Sequence, residues 1–205
     1  MSLTKRLTFL EAALDVKPPT YPARPISGGP FDASRKPFGD WAYELKYNGW
    51  RALIHGPTGQ MWNRHLKRLS IEKEFAVVLP RLAEVSRRSG VEWWDAEALE
   101  RRHDFARGSL IILDCVVPDQ TYAERQDLLN RWFVPADVML STNELRRTFV
   151  QRNGHDLWLD IPRLNGQRPG LVEGLVAKRT DSEYPFQLRR AEVTFPFWVK
   201  HRLHF

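Results

Sequence analysis

The distribution of hydrophobic and polar residues along this 205-residue chain predicts six β-strands. They cover residues 41–46, 51–55, 92–99, 110–117, 171–179 and 197–203. Asn48-Gly49 lies between the first two segments, and this dipeptide favours the tight turn of a β-hairpin. We therefore expect the first two strands to pair with each other.

A helix is predicted over residues 71–88, because apolar residues recur there at intervals of three and four. These residues are Phe75, Val78, Leu79, Leu82 and Val85. Ser70 precedes the segment and Gly90 follows it, and both are residue types that mark helix ends. Pro80 is expected to kink this helix, because a proline removes one backbone hydrogen bond.

Two capping boxes predict further helices over residues 121–133 and 141–152. In a capping box, a serine or threonine and a glutamate three residues later exchange hydrogen bonds at the helix start. The first box pairs Thr121 with Glu124, and the second begins at Ser141. Strand pairs separated by helices, without regular alternation, indicate an α+β domain built on antiparallel sheets.

Proline and glycine are frequent in residues 17–40, which excludes a helix or a central strand there. We expect residues 1–40 to form an irregular N-terminal segment that wraps over the core. A chain of this length can bury one substantial core, so residues 1–205 are expected to form a single domain.

Composition and charge narrow the class of protein. The chain is 42% hydrophobic, and no apolar run approaches the roughly 18 residues of a membrane span. Its N-terminus lacks the features of a secretory signal, so a cytoplasmic protein without membrane contact is expected. The net charge of +6 suits a nucleic-acid partner, and a solvated basic surface is the alternative. Cys115, the single cysteine, lies in an apolar run and is expected to be a buried packing thiol.

The candidate chemistry begins at Lys46, which follows a strand-like run and precedes Gly49. A lysine amine is a nucleophile only when it is neutral, a state that burial and neighbouring cations favour. A glycine nearby lets a ligand approach the backbone closely. A hairpin that carries an exposed lysine is the alternative interpretation.

Two carboxylates lie close together in the segment 92–99. Asp95 and Glu97 share one face of this predicted strand, where they can hold a divalent metal or a ribose hydroxyl. A solvent-facing strand edge explains the same pattern. Phosphoryl transfer uses carboxylates of this kind for Mg²⁺, together with cations for the phosphate oxygens.

Cations are available near the C-terminus. Glu173 and Lys178 flank a short apolar run, and Lys200 and Arg202 share one face of the last predicted strand. A basic tail is the alternative interpretation of the second pair. None of these features is decisive alone, but their order along the chain is more specific.

That order resembles the ATP-dependent DNA ligases, which belong to the covalent nucleotidyltransferases. The resemblance extends over about residues 20–203. Residues 44–51 resemble the lysine motif K-x-D-G-x-R, residues 95–97 resemble D-G-E, and residues 173–178 resemble E-G-x-x-x-K. Other segments similar to the family are 62–67, 112–114, 122–125, 181–184, Arg189 and 198–202.

The resemblance implies a lysyl-AMP intermediate. Lys46 would attack the α-phosphate of ATP and expel pyrophosphate, while Lys200 and Arg202 would neutralise the α-phosphate. Lys46, Lys200 and Glu173 are therefore the expected catalytic residues, and Glu97 and Glu173 are the expected ligands of Mg²⁺ or Mn²⁺. The AMP would pass to a 5′-phosphate in nicked or broken DNA, and an adjacent 3′-hydroxyl would displace it to seal the strand, as in DNA repair.

The resemblance also implies which residues bind the nucleotide. The expected set is Glu44, Leu45, Lys46, Arg51, Arg64, Glu97, Leu113, Lys178, Lys200 and Arg202. Glu44 and its strand would meet the adenine edge, and Leu113 would pack on the adenine. Arg51 and Arg64 would hold the ribose and phosphate. The fold implied is two antiparallel sheets with flanking helices around a nucleotide cleft.

The chain departs from the family pattern at several positions. Asn48 replaces an aspartate, Ala96 replaces a glycine, Leu113 replaces an aromatic residue and Arg202 replaces a lysine. The family continues into an OB-fold domain, which we expect to be absent here or supplied by a partner protein. These departures keep two alternatives open. One is an RNA ligase or other end-adenylating enzyme, and the other is a non-catalytic relative that binds nucleotide or nucleic acid.

Overall fold

The computed structural model describes residues 16–34, 39–100, 103–137, 139–186 and 193–203. Parts of the predicted N-terminal segment, residues 1–15 and 35–38, lie outside the described residues, as does Arg189. Across the described residues the fold is α+β, with two five-stranded sheets and three α-helices.

All six predicted strands are present, with ends that differ from the prediction by at most three residues. The strands are β1 (Arg24–Ser27), β2 (Trp41–Tyr47), β3 (Trp50–His55), β4 (Gln60–Asn63), β5 (Trp93–Leu99), β6 (Ser109–Cys115), β7 (Leu145–Arg147), β8 (Val150–Gln151), β9 (Val172–Arg179) and β10 (Thr194–Arg202). The helices are α1 (Leu79–Ser89), α2 (Tyr122–Trp132) and α3 (Gly154–Gln167), with short 3₁₀ segments at Glu72–Phe75 and Asp104–Ala106.

The two sheets are mixed, so the prediction of antiparallel sheets was wrong in this respect. The first sheet has the order β1-β10-β9-β2-β8, and the second has the order β4-β3-β5-β6-β7. β1 runs parallel to β10, and β7 runs parallel to β6. Both parallel strands lie where the sequence shows no strand pattern, one in the proline-rich segment and one in a predicted helix. Long connections bring them to the edge of a sheet, which parallel pairing requires.

Asn48-Gly49 does not form the predicted hairpin. β2 pairs with β9 in the first sheet and β3 pairs with β5 in the second, so these two residues carry the chain between sheets. The Asn48 amide donates to the carbonyl of Leu171, and the Gly49 amide donates to the carboxylate of Glu97. A Cβ atom on Gly49 would lie 2.6 Å from the carbonyl oxygen of Ala98. Glycine is therefore needed here for the close approach to β5.

The helix predicted over residues 71–88 begins only at Leu79. Pro80 lies in the first turn of α1 and does not kink it, because its fixed φ and missing N–H suit that position. Gly90 ends α1 in the left-handed conformation, as its position indicated. The capping box of Thr121 and Glu124 is present at the start of α2 and confirms that helix.

The helix predicted over residues 141–152 was wrong, because β7 and β8 occupy this segment. The hydroxyl of Ser109 donates to the Ser141 carbonyl and accepts from the Glu144 amide, so this tertiary contact replaces the capping box. The true helix, α3, begins after Asn153, whose side chain accepts from the next amides at positions 155 and 156.

The core lies on both sides of the second sheet. One apolar cluster packs α1 and α2 against that sheet and includes Leu82, Trp94 and Leu129. Another packs α3 against the first sheet and reaches the second sheet at Ile111. Cys115 is fully buried, as expected, and this burial raises the pKa of its thiol. No helix in the described part of the chain is long and apolar enough to cross a membrane.

Candidate active site

A cleft of about 520 Å³ is lined by strands of both sheets. The eleven residues that the resemblance implied as catalytic, nucleotide-binding or metal-binding all line this cleft, whereas Asp95 does not. Side chains two residues apart point to the same face of a strand. This periodicity brings Lys46 of β2, Lys178 of β9, and Lys200 and Arg202 of β10 to one face of the first sheet.

Lys46 is paired with a carboxylate. Its Nζ donates to Oε1 of Glu173, and Nη2 of Arg202 lies 3.8 Å from the same oxygen. Lys46, Gly174 and Arg202 occupy one row across β2, β9 and β10. The Lys46 side chain keeps 19% of its exposure, so a ligand in the cleft can reach the amine.

A β-bulge places Glu173 in the cleft. Lys46 pairs with Gly174 and Tyr47 pairs with Val172, which leaves Glu173 as the extra residue of β9. In regular alternation its side chain would point away from the face that carries Lys178, and a bulge re-aims such a residue. The neighbouring glycine is required, because a Cβ atom at position 174 would lie 1.9 Å from the carbonyl oxygen of His201.

Glu97 lies on the opposite side of the cleft, on β5. It accepts a hydrogen bond of 2.8 Å from the amide of Gly49. Desolvation raises the pKa of Glu97 to about 7, and the charge of Glu173 contributes in the same direction. The charges of Lys46 and Arg51 oppose this shift. Glu97 is therefore a desolvated carboxyl group that is close to Lys46 and Glu173.

Arg51 does not present a free guanidinium to the cleft. Its Nε and Nη2 donate to the two carboxylate oxygens of Asp95 at 2.8 and 2.5 Å, and its Nη1 donates to the carbonyl of Ala23 at 2.5 Å. Asp95 is fully buried and also accepts from the hydroxyl of Tyr184 at 2.7 Å. Asp95 thus holds Arg51, which corrects the prediction that it joins Glu97 at a metal or ribose.

Lys178 and Glu44 are buried against each other beneath the cleft. Each side chain is 2% exposed, and Nζ of Lys178 lies 2.9 Å from Oε1 of Glu44. The hydroxyl of Tyr122 donates to the same oxygen at 2.6 Å. Desolvation raises the pKa of Glu44 despite both partners. The Glu44 carboxylate therefore binds Lys178 and Tyr122 within the protein.

Lys178 also connects the two sheets. Its Nζ donates to the carbonyl of Leu113 at 3.2 Å, lies 3.4 Å from Asp114, and stands 4.0 Å over the ring of Trp198. Leu113 is the residue skipped by a bulge between β5 and β6. Arg125 of α2 forms two hydrogen bonds to Asp114, at 2.7 and 3.2 Å. Burial raises the pKa of Asp114, but Arg125 and Lys178 outweigh it and lower that pKa overall.

Several cations remain open to the cleft. Arg64 is exposed and donates from Nε to His65 at 3.0 Å. Lys200 has a lowered pKa, first because of desolvation and then because of the charges of Arg202, Arg24 and Lys46. Desolvation is the largest cause of this shift, and the three neighbouring cations add positive charge that attracts an anion.

The sequence reasoning missed some residues of the cleft. Arg24 and Trp198 both line it, and neither was assigned a role. Arg24 carried no signal, since it lies in a proline-rich segment without a strand pattern. Asp114 and Arg125, which hold Lys178 in place, lie in segments that resembled the family, but no role was read from them.

No protein-family model and no curated protein matches the sequence. Solved structures do match the fold. The ligase domain of M. tuberculosis LigD aligns with a TM-score of 0.61 and 19% identity, over 88% of this chain and 59% of that domain. A mycobacterial DNA ligase D complexed with ATP and MES aligns with a TM-score of 0.57 and 18% identity, over 88% and 60%.

An RNA ligase matches as well. An archaeal ATP-dependent RNA ligase aligns with a TM-score of 0.54 and 18% identity, over 89% of this chain and 48% of that one. The chain thus spans 60% or less of the length of these three proteins. At such identities the likeness concerns the fold alone, and the fold of this chain is similar to that of these three ligases.

Proposed function

We propose that this protein is a nucleotidyltransferase of the ATP-dependent DNA ligase type. The amine of Lys46 attacks the α-phosphorus of ATP, an N–P bond forms, and the P–O bond to pyrophosphate breaks. The observation that carries the proposal is the Lys46–Glu173 pair, set in a cleft where every residue of the expected machinery meets. The AMP then passes to a 5′-phosphate of nicked or broken DNA, and a 3′-hydroxyl displaces it, a reaction of DNA repair.

The chain's own residues supply the groups that this reaction needs. Lys46 must lose a proton before attack, and Glu173 accepts its hydrogen bond, so this carboxylate is placed to receive the proton. Lys200 and Arg202 bring positive charge to the α-phosphate, where charge accumulates in phosphoryl transfer. Leu113 and Arg64 line the cleft at positions proposed for the adenine and the ribose.

Two of the three carboxylates that line the cleft, Glu97 and Glu173, fit a divalent cation. Glu97 is desolvated enough to hold its proton near neutral pH, and a cation would stabilise its charged form. Among the described residues no cluster of three or more metal-ligating side chains occurs. Two carboxylates completed by phosphate oxygens and water suit Mg²⁺ or Mn²⁺. Glu97 and Glu173 would hold the ion, which neutralises phosphate charge when it is bound.

The test is a covalent label. The purified protein is incubated with ATP labelled on the α-phosphate, with and without Mg²⁺, and the denatured chain is assayed for label. We expect label in the wild type and in Lys73→Ala, an exposed lysine outside the cleft, and none in Lys46→Ala. An undiminished adduct in Lys46→Ala would refute the nucleophile. No label in the folded wild type would favour a non-catalytic relative that binds nucleotide or nucleic acid.

An RNA ligase is the second candidate, because an ATP-dependent RNA ligase shares the fold at a similar TM-score. The adenylated protein is offered matched nicked duplexes of DNA and of RNA, each with a 5′-phosphate. Transfer of AMP to the DNA nick in preference supports the DNA ligase. Transfer to the RNA nick in preference favours the RNA ligase.

A further inference from the structure

Arg24 is a cation of the cleft that no sequence motif marks. It lies on β1, its side chain is exposed, and it lines the cleft. Lys46 and Arg202 both lie near the carboxylate of Glu173, whereas none of the ion pairs among the described residues includes Arg24. Arg24 therefore brings a positive charge to the cleft that no described carboxylate neutralises.

The backbone around Arg24 is fixed by the residue that was expected to bind the nucleotide. Arg51 uses its Nη1 to hold the carbonyl of Ala23 at 2.5 Å, and the rest of its guanidinium holds Asp95. Ala23 is fully buried, and prolines at positions 22 and 25 restrict the backbone on either side. Arg51 thus anchors the strand that presents Arg24, whose own guanidinium forms no ion pair with a described residue.

The order of strands places Arg24 away from the nucleophile. Lys46 is on β2 and Arg24 is on β1, and β9 and β10 lie between these two strands in the sheet. Three strand spacings amount to roughly 14 Å across the sheet. The register adds an offset along the strands, because Arg24 pairs with Thr194 whereas Lys46 lies in the row of Arg202. Lys200, on β10, is close enough to Arg24 for the arginine charge to lower the pKa of its ammonium. The cations therefore run from Lys46 through Lys200 to Arg24.

In phosphoryl transfer the attacking and leaving groups lie roughly in line on opposite sides of phosphorus. With Lys46 attacking an α-phosphate near Lys200, the leaving group departs toward the edge of the sheet formed by β1. We propose that Arg24 binds the β- and γ-phosphates of ATP and holds the pyrophosphate as it leaves. The assignment rests on the proposed function. A guanidinium suits this role because it donates two parallel hydrogen bonds to phosphate oxygens.

The test compares a nucleotide that carries the β- and γ-phosphates with one that lacks them. Binding of the non-cleavable analogue α,β-methylene-ATP and of AMP is measured by titration calorimetry with Mg²⁺, for the wild type and for Arg24→Ala. We expect the substitution to weaken the ATP analogue about 10- to 100-fold, the range for charged hydrogen bonds, and to leave AMP within about twofold. Arg24→Lys should recover part of the loss, since it keeps the charge without the planar fork.

Two controls separate this role from a structural one. Arg81→Ala removes an exposed arginine of α1 outside the cleft and should leave both affinities unchanged. Thermal unfolding of Arg24→Ala checks that the exposed side chain is not needed for folding. In the reverse reaction, discharge of adenylated protein by pyrophosphate should need a correspondingly higher pyrophosphate concentration in Arg24→Ala.

The results can overturn the role of Arg24 without overturning the proposed nucleotidyltransferase function. Equal losses for the ATP analogue and AMP, or no loss for either, overturn the assignment of Arg24 while the wild type still binds nucleotide. Unchanged nucleotide binding with weaker retention of a nicked duplex that carries a 5′-phosphate, relative to one with a 5′-hydroxyl, reassigns Arg24 to the polynucleotide. A folded wild type that binds neither nucleotide and forms no adduct overturns the proposed function as well.

Discussion

The surroundings of Lys46 in the cleft depend on the backbone geometry of β9. Gly174 lets β9 approach β10, and the bulge beside it turns Glu173 toward the amine. The motif predicted that these residues belong together, because their order along the chain is specific. It could not show that Arg51 and Lys178 form ion pairs with buried carboxylates, since burial depends on strands that are distant in sequence.

At the scale of single residues, Glu173 is expected to control adenylation. Glu173→Ala removes the hydrogen-bond partner of Lys46 and one of the two carboxylates proposed to hold Mg²⁺. We expect the rate of Mg²⁺-dependent adenylation to fall by about a hundredfold or more, measured with labelled ATP. Glu84→Ala, at an exposed glutamate of α1, is the matched control. A normal rate in Glu173→Ala would remove this residue from the site.

Glu97 is expected to make stability depend on pH. Its pKa is raised from 4.5 to about 7 by desolvation, so the folded state holds the proton more tightly than the unfolded chain. The resulting stability is complete below about pH 4.5 and is lost as the pH rises through about 7. Melting temperatures of wild type and Glu97→Gln in EDTA should therefore diverge over this range, to the relative benefit of the variant. Parallel curves would show that Glu97 is not desolvated.

At the scale of elements, sequence signals predicted the structure correctly where the hydrogen-bond partners are close in sequence. The capping box of α2 is satisfied within four residues, and the sequence predicted it. The hairpin signal of Asn48-Gly49 failed because both residues bond to distant segments. α3 was missed because it contains Pro162 and two glycines, residues that normally exclude a helix, and its contacts with the first sheet override this preference.

At the crossing between the sheets, Asn48 makes a hydrogen bond that an aspartate could not make. Nδ2 of Asn48 donates to the carbonyl of Gly170 at 3.1 Å, in the loop just before the strand of Glu173. Asn48→Asp would set a carboxylate oxygen against that carbonyl, so we expect a loss of about 1 kcal/mol in the free energy of unfolding by urea. The loss should shrink in acid, where the new carboxyl group is protonated. An unchanged or increased stability at neutral pH would contradict this explanation.

At the scale of the whole molecule, a buried ionic network links the two sheets to α2. Lys178 of β9 contacts Glu44 of β2 and Asp114 of β6, and Arg125 of α2 closes the network. Because these charges are out of water, the network holds the floor of the cleft only while every member is paired.

Lys178→Met should therefore destabilise the protein strongly. The substitution keeps most of the side-chain volume but leaves Glu44 without its cation, and breaking a buried pair in this way costs about 3–5 kcal/mol. The free energy of unfolding is measured in urea. Lys73→Met, at an exposed site, should change it by less than about 0.5 kcal/mol. A similarly small effect in Lys178→Met would mean that the network adds little to stability.

The passage of the chain between the sheets also fixes the length of the segment from Lys46 to Arg51. Lys46 belongs to the first sheet and Arg51 to the second, so the residues between them connect the two sheets. The number of residues in this segment is therefore constrained by the positions of β2 and β3. One inserted or deleted residue would turn either Lys46 or Arg51 to the wrong face of its strand. An insertion or deletion in this segment would therefore disturb the cleft on both of its sides.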